Sequence, residues 1–166
     1  MIPLWWLLPL LLLGCTADGP NSIERLTDQL ICEATIGVPH DARNDEGYRW
    51  IHDAVALPAE DIRHETGRTD ENTGLRFAKM GLLVRPGKAS TITVDPDQDA
   101  EIRLLWGYGD RLAPVHRFVI PTCEGNEDFL IYSGGLWISE PACVALTVSS
   151  GDQAVELRIP IDTDCS

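Results

Sequence analysis

Basic residues are scarce in this chain. It carries 13 lysines and arginines against 26 aspartates and glutamates, which gives a formal net charge of -13. Only Lys79 and Lys88 are lysines. A nucleic-acid-binding protein needs a basic surface that neutralises phosphates, and this composition does not supply one. The sequence therefore excludes nucleic acid as a partner.

The short motifs of common catalytic sites are also missing. There is no G-x-S-x-G and no S-x-x-K, and His64-Glu65 is not followed by a second histidine at the spacing of a zinc protease. A blue-copper site usually takes a methionine as its axial ligand, and Met80 is the only methionine after Met1 that could serve. These absences favour a non-catalytic function without a cofactor.

What remains is an ordinary globular composition with an unusual beginning. The 166 residues are 44% hydrophobic and 23% charged, as expected for one domain plus some additional chain. Residues 1–14 contain no charge and are too short for a membrane span of about 20 residues, but they suit a signal peptide. Residues 15–20 then form a tether.

Leu12-Leu13-Gly14-Cys15 resembles a bacterial lipobox, in which a small residue precedes a cysteine. The resemblance implies cleavage before Cys15 and a lipid on its sulfur. It predicts a protein anchored to the outer face of the cytoplasmic membrane. The alternative is a secreted protein, cleaved after the A-x-A-like stretch Cys15-Thr16-Ala17.

Without Cys15 the chain has an even set of cysteines, and in an exported protein this predicts two disulfides. Their spacings of 91, 20 and 22 positions contain no C-x-x-C pair, which argues against zinc. Three connectivities are open, and the spacing does not choose among them. The four residues are Cys32, Cys123, Cys143 and Cys165.

Hydrophobic periodicity predicts one helix followed by strands. Ile23, Leu26, Leu30 and Ile31 share one face of a helix over about residues 22–32. Residues 21–46 thus hold the helix and a loop. From residue 47 the period changes to two, with seven or eight short strands separated by turn residues. The sequence predicts an all-β domain over 47–166, an antiparallel, immunoglobulin-like β-sandwich.

Two stretches of the strand region are distinctive. They read F-A-K-M-G-L-L-V-R at 77–85 and I-Y-S-G-G-L-W at 131–137, the latter followed by Pro141-Ala142-Cys143. These residues resemble a group of uncharacterised secreted proteins and lipoproteins of actinobacteria, over about residues 47–165. The resemblance implies an exported all-β domain and implies no activity.

Candidate metal ligands occur in one turn. Asp95, Asp97 and Asp99 repeat at the opening spacing of an EF-hand loop, but Ala100 and Trp106 occupy the glycine and glutamate positions. An acidic, solvated hairpin is the simpler interpretation. No metal site is therefore predicted, and these three aspartates are the weak candidates.

Aromatic residues and histidines are the remaining candidates. Tyr108, between two glycines at a strand end, is the aromatic expected to be exposed to a ligand, whereas Trp106 and Trp137 fit apolar core positions. His52 and His116 with loop acids could form the site of a small hydrolase.

The favoured function is a non-catalytic binding module of the cell envelope with an unidentified protein or ligand as partner. The alternatives are a hydrolase and a purely structural domain.

The lipobox interpretation predicts that cells fed labelled palmitate incorporate the label into this protein. A Cys15→Ser variant should lose the label, because the acyl chains attach through that residue. Immunoblotting checks that both forms are made in equal amounts. An unlabelled wild-type protein would contradict the anchor.

Overall fold

The computed structural model describes residues 28–36, 47–107 and 113–165. Within these ranges the chain forms one 3-10 turn and twelve β-strands, and strand formation follows the alternation of apolar and polar residues. In Ser90–Val94, for example, Ile92 and Val94 are buried and the two threonines are half-exposed. The strands are β1 (Tyr48–Ile51), β2 (Val55–Pro58), β3 (Thr66–Thr69), β4 (Arg76–Lys79), β5 (Leu82–Val84), β6 (Ser90–Val94), β7 (Ile102–Trp106), β8 (Arg117–Ile120), β9 (Leu130–Tyr132), β10 (Gly134–Ile138), β11 (Ala142–Ser150) and β12 (Gln153–Ile161).

The strands form three four-stranded sheets, and every pairing between them is antiparallel. The first sheet has the order β1-β2-β5-β9, the second β3-β4-β10-β7, and the third β12-β11-β6-β8. The all-β prediction is confirmed. The finer prediction of an immunoglobulin-like sandwich with seven or eight strands is not confirmed, because the pairing divides twelve strands among three sheets.

One apolar core joins the three sheets. Trp106 of β7 is fully buried in it, as the sequence predicted, and its indole N–H donates to the Met80 carbonyl at 3.1 Å. Its ring packs edge-on against Phe118 of β8, with the ring centroids 5.5 Å apart. Trp106, a residue of the second sheet, thereby contacts β8 of the third sheet. It also contacts Met80, which lies in the connection from β4 to β5 of the first sheet.

Where the chain passes from β9 of the first sheet to β10 of the second, β10 begins with two glycines. β9 ends at Tyr132 and β10 begins at Gly134, so only Ser133 separates the two strands. A Cβ on Gly134 would collide with the Leu105 carbonyl, and one on Gly135, whose φ is +155°, with the Ala78 carbonyl. Only glycine lets β4 and β7 approach the start of β10 this closely.

The predicted N-terminal helix is not confirmed. Residues 22–27 lie outside the described ranges, and Asp28 to Ile31 are not helical. Gln29 instead forms a parallel bridge with Val119 of β8, and the Leu30 N–H donates to the Val119 carbonyl at 2.8 Å. The 3-10 turn Cys32–Ala34 follows. Leu30 is buried in the core, so its apolar character serves strand-like packing against the third sheet.

Both expected disulfides are present, and they join Cys32 to Cys123 and Cys143 to Cys165. The Tyr132 hydroxyl donates to the Cys32 carbonyl at 3.0 Å. Burial is the main cause that raises the pKa of this tyrosine to about 12, and the charge of Glu33 is the second cause. Two disulfides indicate an oxidising, extracytoplasmic environment.

The two disulfides close loops of different length, with sequence separations of 91 and 22. The loop-entropy relation gives about 4.6 kcal/mol for the first and about 3.4 kcal/mol for the second. We expect the Cys32→Ala/Cys123→Ala variant to lose more free energy of unfolding than the Cys143→Ala/Cys165→Ala variant. Urea denaturation of both variants measures the difference, and a reversed order would contradict the expectation.

Candidate functional site

The outward face of the second sheet carries an apolar cluster separate from the main core. Side chains alternate along each strand, so Leu136 faces the core and Trp137 the other side. Trp137 pairs in register with Phe77 of β4 and Arg103 of β7. Leu75 and Leu105 complete the cluster, and each is 6% exposed, as is Trp137.

An arginine stacks on the aromatic pair of this cluster. The Phe77 and Trp137 rings have centroids 4.9 Å apart. The guanidinium carbon of Arg68, on β3, lies 5.2 Å from the Trp137 centroid and 5.8 Å from that of Phe77. The arrangement is a cation–π contact, and at an exposed site such a contact contributes about 0.5–1 kcal/mol.

A groove of about 640 Å³ runs over this face. Its volume is in the range of small-molecule binding sites, roughly 300–1,000 Å³. Its walls combine apolar side chains with hydroxyl, amide and charged groups. The lining residues are Arg68, Thr69, Asp70, Glu71, Asn72, Thr73, Leu75, Glu101, Arg103, Leu105, Pro114 and Trp137.

The wall formed by the β3–β4 hairpin is held by Asp70. Its carboxylate accepts hydrogen bonds from the N–H groups of Asn72 and Thr73, at 3.0 and 2.8 Å, and from the Thr73 hydroxyl at 2.9 Å. The Thr73 backbone N–H is the main cause that lowers the pKa of Asp70. The carboxylate therefore keeps its charge at neutral pH and fixes the turn.

On the opposite wall Arg103 is neutralised within the groove. Its Nε and Nη2 donate to Glu101 Oε1 at 3.0 and 2.8 Å. Two groove groups, in contrast, have no such partner among the described residues. No carboxylate lies within 4.0 Å of the Arg68 guanidinium, and the buried Nε1 of Trp137 has no hydrogen-bond acceptor.

The structure does not bring the candidate histidines together. His52 lies in the β1–β2 turn of the first sheet, where it and Asp53 have φ values of +51° and +50°. His116 is exposed just before β8 of the third sheet. It lines a pocket of about 300 Å³ with Asp95, Asp99 and other residues that do not include His52.

The acidic turn is held by its own hydrogen bonds. The Asp95 carboxylate accepts from the Asp97 N–H at 3.0 Å. The Gln98 amide bonds both the N–H and the carbonyl of Ala145, at 2.7 and 2.9 Å, which ties the turn to β11. Within the described ranges no three His, Cys, Asp or Glu side chains are grouped so that they could hold a metal ion, and Asp99 does not belong to such a group either.

Two candidates lie outside the described residues, namely Cys15 and Tyr108. The aromatics that the structure does describe are mostly packed inward. Tyr132 and Trp106 are fully buried, and Trp50 packs edge-on against Phe129 with centroids 6.0 Å apart. The prediction that Trp137 is buried is confirmed, but its place beneath a groove was not foreseen.

The groove residues Arg68, Leu75, Arg103 and Leu105 were missed in the sequence. Residues 61–74 appeared to be one polar connection, and β3 lies inside that stretch. The available signal was the Asp70-Glu71-Asn72-Thr73-Gly74 turn ahead of Leu75, which is typical of a hairpin and implies a strand before it.

No protein-family model matches the chain, and no curated protein matches it. Among the described residues, no helix is long and apolar enough to cross a membrane.

A half-buried histidine adjoins the junction of the second and third sheets. The N–H of His64 donates to the Pro160 carbonyl at 2.9 Å, and Asp162 N–H donates to the His64 carbonyl at 2.8 Å. The Asp162 carboxylate accepts from the Thr66 hydroxyl and N–H, which lowers its pKa, and pairs with Arg76 at 3.1 Å. Burial lowers the pKa of His64.

The lowered pKa of His64 predicts a loss of stability in mild acid. The unfolded chain takes up the proton near pH 6.5 while the folded chain resists it, so stability is complete above pH 6.5 and falls below it. We expect His64→Gln to flatten the decrease in melting temperature between pH 7 and pH 5. His116→Gln, at an exposed position, is the control and should leave the wild-type slope. Equal slopes for wild type and His64→Gln would contradict the prediction.

Proposed function

We propose that the chain is an exported, lipid-anchored binding module of the cell envelope, without catalytic activity of its own. The observation that carries the proposal is the groove on the second sheet, where Arg68 forms no ion pair and the Trp137 N–H has no hydrogen-bond acceptor among the described residues. An unpaired buried N–H costs about 1–3 kcal/mol, and a ligand that accepts it recovers part of this cost.

Localisation rests on two independent features. The disulfides require an oxidising compartment, and residues 1–15 carry the lipobox-like signal. Acylation of Cys15 would hold the domain at the outer face of the cytoplasmic membrane. A negatively charged domain gains nothing from an anionic membrane surface, so the acyl chains would supply the attachment.

A relationship to the actinobacterial secreted proteins and lipoproteins is part of the same proposal. The two stretches that carry that resemblance include Phe77 and Trp137, the aromatic pair beneath the groove. A hydrolase built on His52 and His116 has less support, since His52 lies in the β1–β2 turn of the first sheet and His116 just before β8 of the third.

Blocking the groove tests the proposal. Asn72 lines it and its side chain makes no hydrogen bond among the described residues, so Asn72→Trp fills space without removing a contact. Gln153→Trp, at the exposed start of β12, is the matched control. The processed chain, made with Cys15→Ser so that no acyl chain attaches it to membranes, should sediment with the insoluble envelope fraction of the bacterium that encodes it.

We expect Asn72→Trp to weaken this sedimentation about tenfold or more, equivalent to about 1.4 kcal/mol, and Gln153→Trp to leave it unchanged. Thermal melting of both variants checks that each is folded. A wild-type chain that stays in the supernatant, or equal sedimentation of wild type and Asn72→Trp, would refute the groove as the binding surface.

A further inference from the structure

One cation of the groove forms no direct ion pair with the groove's acids. Arg103 is bonded to Glu101, and the Asp70 carboxylate accepts hydrogen bonds from the N–H groups of its own turn. Arg68 contacts the two aromatic rings, its charge acts on Asp70 only from a distance, and no carboxylate of the described residues lies within 4.0 Å of its guanidinium. The charge and the donors of its guanidinium are therefore available to a molecule in the groove.

The geometry of the guanidinium determines how those donors can be used. Its N–H groups lie along the edge of a planar group, where two of them match the two oxygens of a carboxylate. A phosphate dianion would place two negative charges at one point beside Asp70, Glu71 and Glu101, which line the same groove, whereas a carboxylate places one. Arg68 therefore suits a single carboxylate of the ligand.

The rest of the lining indicates the body of the ligand. The groove lies on the face of a sheet, and backbone N–H and C=O groups point within the sheet plane toward neighbouring strands. An extended peptide, which is recognised largely through its main chain, finds no backbone partners over the inner strands β4 and β10. Thr69 and Asn72 offer hydrogen bonds to hydroxyl groups, while Leu105 and Pro114 offer apolar contact to ring carbons.

From these observations we infer that the groove binds an oligosaccharide bearing carboxylate groups, with Arg68 holding a carboxylate and the Trp137 N–H donating to a sugar oxygen. This inference rests on the proposed binding function and names its ligand class. Arg68 covers the Trp137 ring, so the sugar displaces the guanidinium from part of the ring as it enters. Little is lost, because Arg68 is exposed on the edge strand β3.

The indole N–H of Trp137 is the reporter of binding. In a proton–nitrogen correlation spectrum of the processed chain, its signal is the one that disappears in Trp137→Phe. The probes are oligogalacturonate, a hyaluronan tetrasaccharide and an alginate trimer, each compared with its carboxyl methyl ester, and penta-glutamate as a peptide of the same charge sign. We expect at least one acidic saccharide to shift the signal saturably and its ester to bind about tenfold more weakly.

Arg68→Gln should remove the preference for acid over ester. Arg158→Gln is the matched control, because Arg158 is an exposed arginine on β12 of the third sheet, away from the groove. It should retain the preference. Equal loss in both variants would show a general charge effect and overturn the assignment to Arg68.

The remaining outcomes separate this inference from the binding function. Equal binding of acid and ester overturns the carboxylate, and tighter binding of penta-glutamate overturns the sugar. If no saccharide moves the Trp137 signal while the envelope fraction still binds in an Asn72-dependent way, the ligand class is wrong and the binding function stands. If the envelope fraction does not bind either, both fail.

Discussion

None of the three sheets in this protein can bury its apolar side chains alone. Most strands have only three to five residues, so each sheet offers a small inner face that must pack against the other two. Trp106 shows the dependence directly, since it belongs to the second sheet, contacts Phe118 of the third and bonds Met80 ahead of β5. The groove exists because the second sheet, fixed on its inner side by this core, carries a further apolar cluster on its outer side.

The sequence predicted the parts of the fold that leave a local pattern. Ile92 and Val94 alternate with threonines, and β6 lies where that alternation places it. β3 has no such pattern because glycine and polar residues occupy both of its faces. The apolar spacing that includes Leu30 also fits a helix, but this segment pairs with β8 and is joined covalently to Cys123, so tertiary contacts override the local signal.

The candidate site was harder to predict because its residues come from separate strands. Arg68, Trp137 and Arg103 are adjacent only after β3, β4, β10 and β7 have paired in that order. Nothing local in the sequence distinguishes Arg68 from Arg103, and only the fold gives one a carboxylate partner and the other a pair of rings. The cysteine pairing had the same limit: the number of bridges followed from composition, and their connectivity from the sheet arrangement.

The Cys32–Cys123 bond also has a mechanical consequence. Tension on the chain ahead of Asp28 would first strain the backbone hydrogen bonds that join residues 28–30 to Val119. Just beyond them it would meet a covalent crosslink to residue 123, directly after β8. The load would then pass covalently from residue 32 to residue 123, so strands β1 to β8 would lie off the covalent path. The groove strands β3, β4 and β7 belong to that bypassed stretch, whereas β10 lies beyond residue 123.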